Sequence, residues 1–328
     1  MVIDDYGLEI IRKSAIDTTG GLSKYSIQQS DAFGGYTQLT ETVSSVLTYY
    51  GIAPYGSATS DAVWRVGRKT VAGGIEKTEW ANNGTFDQVW DNRGSIFTAV
   101  SFFNANSLFF DGVSDYLNGG DIFQFDIANQ MALSLWIKPD NVSAQRCLFS
   151  KSTNDANAYG WGLYHTDTGA ILLQVRTAST LRNHTSTATL TAGAWNHLLL
   201  TYDGSSNMDG VRLYFDSVVD TVPTSASLSG TVLYNQDVYF GRRDSSFYYS
   251  GYMDEISGWN KSLTQAEVNS VYNSGSPNDL SGLSFSGDLL NWYRMGDGDS
   301  YPLVLDNAGS DNLTMQNMSS SNFVGDTP

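Results

Sequence analysis

The stretch from Gly251 to Gly275, GYMDEISGWNKSLTQAEVNSVYNSG, constrains the fold more than any other part of this sequence. Its first residues alternate apolar and polar side chains, which is typical of a strand with one buried face. Trp259 closes that strand. Thr264 and Glu267 have the spacing of a capping box, which predicts that a short helix begins after Thr264 and ends near Gly275. The chain is therefore expected to run from a half-buried strand into a short capped helix.

The composition is typical of an all-β protein with many turns. Aromatic residues make up 13% of the 328 residues, and there are 32 glycines. The net charge is −16 and there are only 18 Lys and Arg residues. Nucleic acid is therefore not expected as a partner, because phosphate binding needs a concentrated basic patch. Cys147 has no second cysteine to pair with, and we expect it to be buried as a small apolar residue.

The first ten residues, MVIDDYGLEI, do not have the features of a secretion signal. They are acidic and lack an apolar central region. No run in the sequence has the length of a membrane span. Neither export nor insertion into a membrane is expected.

Other strands with two distinct faces precede the Gly251–Gly275 stretch. In ALSLWIKPD, Leu133, Leu135 and Ile137 fall on one face and Trp136 falls on the other. Shorter apolar runs follow at the spacing of strands in a sandwich: residues 146–151, 160–165 and 170–176. The pattern predicts an all-β fold in which two antiparallel sheets pack face to face.

Several motifs of this half resemble those of laminin-G-like, or concanavalin A-like, jelly-roll domains. In chain order they are LFFDGVSDYLNGG (108–120), AGAWNHLLLTYDG (192–204), GVRLYFDS (210–217), DVYFGR (237–242) and the closing pattern GxxDEhxhWNxxLTxxEh, where h is apolar. The resemblance covers about residues 107–275. It implies an antiparallel β-sandwich of the jelly-roll type.

The N-terminal part is predicted to be a small β-rich module. Gly73 and Gly74 lie between two apolar runs, which predicts a tight hairpin, and residues 6–13 could form a short helix. The segments TYYGIAPYGSATSDAVWRVGRKT and IEKTEWANNGTFDQVWDNR resemble the N-terminal part of structural proteins of tailed bacteriophages. This resemblance implies a module for anchoring or assembly in a virion.

The sequence is thus divided into three parts. Residues 1–100 form the N-terminal module, residues 101–283 form the jelly roll, and residues 284–328 form a C-terminal hairpin that packs back onto the sandwich.

The jelly-roll resemblance implies a possible Ca²⁺ site. Many such sandwiches bind calcium through the Asp of the final strand and oxygens from the opening strand. The matching positions are Asp254 with Asp111 or Gly112, and carboxylate and carbonyl oxygens suit this cation. In the alternative, Asp254 hydrogen-bonds backbone amides and locks the sheet edge.

A glycan site needs exposed aromatic side chains near polar loops. Tyr248 and Tyr249 precede the last strand, and Tyr159 and Trp161 lie where a loop meets a strand. Core packing is the alternative for Tyr248 and Tyr249. His197 stands in the WxH pattern of the family and is expected to pack in the interior.

The sequence gives no catalytic constellation. A glycosidase needs two carboxylates across one cleft, and Asp254 and Glu255 are adjacent, so the alternation predicts that they point to opposite faces. No nucleophile motif or phosphate-binding loop is present. No enzymatic activity is expected.

These observations predict a non-enzymatic bacteriophage virion protein of the capsid or tail, assembled in the host cytoplasm. Its jelly roll would contact glycans or proteins of the host surface. The expected partners are other virion proteins and further copies of the chain, with a trimer favoured by analogy with other virion appendages. A free calcium-dependent lectin is the alternative, and a polysaccharide-cleaving enzyme is a third possibility.

Overall fold

The computed structural model describes residues 102, 104–152, 159–220 and 223–328 in full, and the backbone of the strands within residues 1–101. The chain divides into two compact units, Met1–Phe103 and Asn104–Pro328. No helix among the described residues is long and apolar enough to span a membrane.

The first unit contains a meander of antiparallel strands. Its strands are β1 (Val2–Ile3), β2 (Glu9–Ile10), β3 (Arg12–Asp17), β4 (Leu22–Gln28), β5 (Tyr36–Ser44), β6 (Leu47–Pro54), β7 (Ala62–Ala72), β8 (Ile75–Trp80) and β9 (Gln88–Val89). Strands β3 to β8 pair in chain order, and β9 pairs with β7. The hairpin at Gly73–Gly74 is confirmed, since Ala72 pairs with Ile75. The short helix expected at residues 6–13 is wrong, because β3 has an antiparallel partner in β4 that local propensity does not reveal.

The second unit is an antiparallel β-sandwich, as predicted. Its strands are β10 (Ser107–Asp111), β11 (Tyr116–Asn118), β12 (Met131–Pro139), β13 (Arg146–Ser152), β14 (Gly160–His165), β15 (Ala170–Arg176), β16 (Leu181–Thr189), β17 (Asn196–Tyr202), β18 (Val211–Phe215), β19 (Val218–Val219), β20 (Tyr239–Phe240), β21 (Ser250–Trp259), β22 (Leu289–Tyr293), β23 (Leu303–Val304), β24 (Leu313–Gln316) and β25 (Phe323–Val324). The first sheet has the order β19-β18-β17-β12-β21-β10-β25, with β22 also paired to β21. The second sheet has the order β16-β15-β14-β13-β20-β11-β24-β23.

The core lies between the inner faces of the two sheets. Leu133, Leu135 and Ile137 of β12 face this core, as their alternation predicts, and Leu163 and Leu173 face it from the second sheet. Burial of such aliphatic side chains contributes about 1.5–3 kcal/mol each. The alternation of β12 therefore identifies the inner face of the first sheet correctly.

A short helix covers part of the outer face of the first sheet. This helix, α1 (Gln265–Tyr272), begins at the predicted capping box, in which Thr264 Oγ1 accepts from Glu267 N and the Glu267 carboxylate accepts from Thr264 N. It ends at Asn273, which has a left-handed φ of 49°, before the predicted end at Gly275. Tyr272 stacks on Trp136 of β12 with ring centroids 5.7 Å apart. Trp136, which points away from the core-facing leucines of β12, is thus buried under the helix.

Residues 284–328 do more than form one hairpin on a finished sandwich. Strand β22 pairs with β21 and β25 pairs with β10, so both extend the first sheet. Strand β24 pairs with β11 and with β23 in the second sheet. The C-terminal segment therefore completes both sheets of the second unit.

Candidate functional site

One row of outward-facing residues crosses the second sheet. It consists of Thr314, Asn118, Tyr239, Ser150, Gly162, Gln174 and Asn183, each paired with the next across adjacent strands. Directly paired residues of an antiparallel sheet point to the same face. Their sequence neighbours Leu117, Phe240 and Leu173 lie in the core. The seven residues therefore face outward, and we call them the polar row.

The polar row presents hydrogen-bonding groups to solvent at its two ends, whereas Tyr239, Ser150 and Gly162 in its middle are buried. Adjacent strands lie about 4.8 Å apart, so the row is about 29 Å long. Asn118, Gln174 and Thr314 are partly exposed and Asn183 is exposed. Gln174 Nε2 donates to Asn183 Oδ1 at 3.4 Å, and Asn118 Nδ2 donates to Asp237 Oδ2 at 2.9 Å. These contacts hold side-chain amides, which can both donate and accept, at the solvent-facing surface.

Two glycines remove side chains from the middle of this face. Gly160 and Gly162 of β14 lie opposite Ser152 and Ser150 of β13. A Cβ atom at Gly162 would lie 2.5 Å from Tyr164 Oη. Tyr164 therefore lies back along its own strand, over the glycine, and it is 1% exposed. The glycines therefore make room for the Tyr164 ring and for the backbone of β13, and protein atoms cover the centre of this face.

Beside the polar row, an arginine stacks on two tyrosines. The Arg242 guanidinium carbon lies 3.6 Å from the centroid of the Tyr116 ring and 4.3 Å from that of Tyr239. The two rings meet edge to face at 5.8 Å. The Arg242 carbonyl accepts a hydrogen bond from Ser150 Oγ at 2.9 Å. Cation–π contacts and this backbone anchor fix the guanidinium at one position. We call Arg242, Tyr116 and Tyr239 the Arg242 cluster.

The four predicted glycan residues are not brought together. Trp161 is 4% exposed and Tyr249 is 0% exposed, and both are core residues, so their prediction as a glycan platform is wrong and core packing holds. Their strands point them inward, where Trp161 Nε1 donates to the Phe125 carbonyl and Tyr249 Oη to the Tyr252 carbonyl.

The other two predicted residues are partly exposed. Tyr159 stacks on Tyr234 with centroids 5.2 Å apart, and the Arg176 guanidinium lies 5.8 Å from its ring. The Tyr248 carbonyl accepts a hydrogen bond from Arg146 Nη1 at 3.0 Å. A role for Tyr159 or Tyr248 in glycan binding stays a prediction.

Asp254 and Glu255 lie on the same face of β21, contrary to the predicted alternation. Between Ser134 and Trp136 of the neighbouring β12 the register shifts, so β21 contains an extra residue there. Glu255 has a left-handed φ of 47°, as in a β-bulge. The bulge places both carboxylates on the outer face of the first sheet and returns Ile256 to the core.

Both carboxylates are buried and bound by protein donors. Asp254 Oδ2 accepts from Asn104 Nδ2 at 2.7 Å, and its Oδ1 accepts from Glu255 N at 2.8 Å. Glu255 Oε2 accepts from Trp292 Nε1 at 2.5 Å, and Oε1 accepts from Arg294 Nε at 3.3 Å. Each carboxylate oxygen therefore already has a protein partner.

Burial is the main cause of the shifted pKa values of these carboxyl groups. Desolvation, with the neighbouring Glu255 charge, raises the pKa of Asp254 well above its usual range. Desolvation raises the pKa of Glu255 to about 7, although Arg294 and Trp292 favour the charged form. Asp297 binds Arg294 Nη2 at 3.0 Å, and desolvation also raises its pKa. Arg294 thus pairs with two buried carboxyl groups, those of Glu255 and Asp297.

The structure does not bring the predicted calcium ligands together. Asp111 pairs with Ser250, four residues from Asp254 along β21, which is about 13 Å at the rise of a strand. Calcium ligands lie 2.3–2.6 Å from the ion, so one ion cannot contact both positions. Asp111 Oδ1 instead accepts from the backbone N–H groups of Val113, Ser114 and Asp115 around Gly112.

The described residues contain no group of three or more His, Cys, Asp or Glu side chains arranged for a metal ion. The backbone lock, the alternative reading of Asp254, has support in the bond from Glu255 N. Calcium binding by this protein stays a prediction.

Two residues singled out in the sequence are packed in the interior as expected. His197 is 0% exposed, its Nε2 lies 2.8 Å from Ser134 Oγ, and burial lowers its pKa to about 3. Cys147 is also fully buried, and burial raises the pKa of its thiol.

Sequence reasoning did not find the polar row. Each strand contributes only one residue to it, such as Asn118 in YLN and Gln174 in AILLQVR. Alternating polar residues on these strands indicate a solvent-facing side, but not which residues share a row. Only the register across six strand pairs aligns them.

The match to a protein family agrees with this architecture. Residues 111–269 match the laminin-G-type family model described as the concanavalin A-like lectin/glucanases superfamily. None of the curated proteins matches the sequence. A candidate carbohydrate-binding protein from Bacteroides ovatus ATCC 8483 is 12% identical, covering 93% of this chain and 79% of that chain, with a TM-score of 0.49. The heptameric SAP-like pentraxin from Limulus polyphemus is 15% identical, covering 66% of this chain and 97% of that chain, with a TM-score of 0.42.

Proposed function

We propose that this chain, whose sandwich unit belongs to the concanavalin A-like lectin/glucanase superfamily, is a non-enzymatic glycan-binding protein. Its ligand would lie on the outer face of the second sheet. The single observation that supports this most is the polar row from Thr314 to Asn183.

The chemistry of the polar row suits a chain of sugars. Hydroxyl groups of a sugar donate and accept hydrogen bonds, as do the amides of Asn118, Gln174 and Asn183. The exposed parts of the row are its two ends, Thr314 with Asn118 and Gln174 with Asn183. Each end offers hydrogen bonds to a sugar unit, and a row about 29 Å long separates the outermost contacts.

The two sheets differ in what their outer faces offer. On the first sheet, α1 covers Trp136 and His197 through the Tyr272 ring. On the second sheet, the exposed members of the polar row have no helix packed over them in the described part of the chain. The second sheet is therefore the better candidate for a ligand face.

Binding without catalysis fits the positions of the carboxylates. The adjacent pair Asp254 and Glu255 lies on the first sheet, at 0% and 4% exposure. On the polar row's own face, Asp237 binds Asn118. Hydrolysis needs two carboxyl groups flanking one bond, with one of them free to donate a proton. This arrangement favours a lectin over a glycosidase.

A glycan microarray with the full chain tests the proposal. We expect binding to at least one glycan class, and Asn118→Ala and Gln174→Ala should each weaken it by about tenfold, because each removes hydrogen bonds to the ligand. Gln265→Ala, which removes an exposed amide on α1, is the matched control and should leave binding unchanged. Failure of the array, or equal binding by all variants, would refute the proposed site. Release of reducing sugar would contradict the non-enzymatic assignment.

We also propose that the protein has a more specific role, as a component of a bacteriophage virion. Its support is the resemblance of the N-terminal segments to structural proteins of tailed phages. In this role the first unit would bind other virion proteins, and the sandwich would act as an adhesion domain in a homo-oligomer. Mass spectrometry of purified particles should find the chain at many copies, and its absence would count against the virion role.

Adding a chelator to the glycan assay tests the calcium prediction.

A further inference from the structure

We propose that the glycan bound on the second sheet is acidic, and that Arg242 binds a carboxylate of that glycan. This inference rests on the proposed function and adds the chemical class of the ligand. It starts from the Arg242 cluster, which lies directly beside the polar row: Tyr239 belongs to both.

The guanidinium of Arg242 is positioned before any ligand binds. Its flat contacts with Tyr116 and Tyr239, at 3.6 and 4.3 Å, restrict the long side chain. Ser150 Oγ holds the Arg242 carbonyl at 2.9 Å. A pre-positioned arginine loses less conformational entropy on binding than a free one. The stacking uses the faces of the guanidinium and leaves its N–H groups, which lie in its plane, for an acceptor.

Arg242 has no acidic partner among the described residues. Within that part of the chain, Lys138, Lys151, Lys261 and Arg294 form ion pairs with carboxylates. Arg146 and Arg212 form no ion pair but donate to backbone carbonyls. The Arg242 guanidinium forms none and has no protein hydrogen-bond acceptor there, and its Nε is buried without a partner. The protein has a net charge of −16 and acidic side chains in excess. An arginine left without one of them, on the candidate ligand face, is therefore suited to an acid supplied by the ligand.

The other charges on this face are consistent with an acidic group at Arg242. Arg243 lies over the Phe247 ring at 5.3 Å, and Arg146 binds the carbonyls of Gly112 and Tyr248. Asp237 precedes β20 whereas Arg242 follows it, so they lie at opposite ends of that strand. A ligand would place its carboxylate at the Arg242 end and its hydroxyl groups along the row.

A carboxylate fits Arg242 better than a neutral group does. The planar fork of a guanidinium can donate two parallel hydrogen bonds to a carboxylate, and charge-assisted bonds are about twice as strong as neutral ones. Lysine carries the same charge but not the fork. Replacement of Arg242 by lysine therefore separates geometry from charge.

The test compares acidic and neutral partners of the same glycan with the full chain. Suitable probes are sialyllactose with lactose, oligogalacturonate with its methyl ester, and a sulfated galactan with its desulfated form. We expect at least one carboxylate probe to bind about tenfold more tightly than its neutral partner. Arg242→Gln should abolish that preference, and Arg242→Lys should weaken it. Arg212→Gln, an arginine of the first sheet, is the matched control and should retain it.

Each outcome separates this inference from the proposed function. Equal binding of acidic and neutral partners refutes the acidic ligand and leaves glycan binding standing. Preference for the sulfated probe alone refutes the carboxylate assignment. No binding to any probe or to the wider array refutes both proposals. A carboxylate preference that survives Arg242→Gln refutes the role of Arg242. If that variant melts at a lower temperature, Arg242→Lys, which keeps a charged stem on the tyrosines, gives the decisive comparison.

Discussion

At the scale of single residues, Glu255 shows how one backbone angle changes the chemistry of a sheet. Its left-handed φ of 47° puts it on the same face as Asp254, where strict alternation would place it on the other face. The bulge lets Ile256 fill the core while Trp292 and Arg294 bind the carboxylate. The cost is that two acidic groups are buried side by side.

This arrangement predicts that the contribution of Glu255 to stability falls as the pH rises toward neutrality. The folded-state pKa of Glu255, about 7, lies above its ordinary value of 4.5. Between these values the folded protein holds a proton that the unfolded chain has released, so the free energy of unfolding decreases with rising pH. The displacement corresponds to about 3 kcal/mol. Stability contributed by the protonated group is fully present below pH 4.5 and lost as the pH passes about 7.

The variant Glu255→Gln should remove the part of the slope that Glu255 contributes, because glutamine keeps an oxygen for Trp292 and Arg294 but does not titrate. The contribution of Asp254, whose pKa is also raised, remains. Urea unfolding at several pH values between about 4.5 and 8 measures the free energies. Asp167→Asn, at an exposed residue of the turn between β14 and β15, serves as the control for a general charge effect. A slope that is the same in Glu255→Gln and in the unaltered protein would contradict the assignment.

At the scale of elements, α1 is the part that the sequence predicts best. The capping box is a local signal, since Thr264 and Glu267 need only their own spacing to satisfy backbone groups. The docking of α1 is not local. It depends on Trp136, 136 residues before Tyr272 in the chain, facing away from the core.

Loss of the cap should destabilise the second unit modestly. Thr264→Ala removes the acceptor for Glu267 N, and such changes cost about 1 kcal/mol. Ser276→Ala, at an exposed residue just after the helix, should change the free energy of unfolding by less than about 0.5 kcal/mol. Chemical denaturation of both variants measures the difference. Equal stability of the two would show that the cap contributes nothing to the packed helix.

How far strands could be predicted depends on whether their pattern is local. The alternation of β12 correctly places Leu133 in the core and Trp136 on the outer face of the first sheet, under α1. Alternation fails at Glu255 because the bulge depends on the pairing of β21 with β12, which the sequence of β21 alone does not reveal. Trp161 and Tyr249 look like loop-edge aromatics in the sequence, yet they face inward because the strands that follow fix their side.

At the scale of the whole molecule, the boundary predicted at residues 283–284 does not divide independent parts. The jelly-roll motifs stop near residue 275, and a resemblance based on them gives no sign that later strands belong to the same sheets. In the structure, Tyr293, Met295, Val304, Leu313 and Met315 are all buried in the core of the second unit. The family model, at residues 111–269, ends before all of them.

This topology predicts the result of truncation. A chain spanning residues 104–328 should fold by itself, because it contains one complete compact unit. A chain ending at residue 283 loses one of the two partners of β10, one of the two partners of β11 and the five core side chains named above. At about 1.5–3 kcal/mol each, those side chains contribute about 8–15 kcal/mol. That loss equals the typical total stability of a domain, about 5–15 kcal/mol.

The comparison is therefore expected to be all or none. Circular dichroism during heating should show a cooperative transition for residues 104–328 and no such transition for residues 104–283, which should also be recovered largely as aggregate. The longer chain is the control, since the two differ only in the C-terminal strands. A cooperative transition in the shorter chain would mean that both sheets close without β22, β24 and β25. The C-terminal segment would then be an addition to the sandwich, as the sequence predicted, and its buried residues would contribute little to the stability of the core.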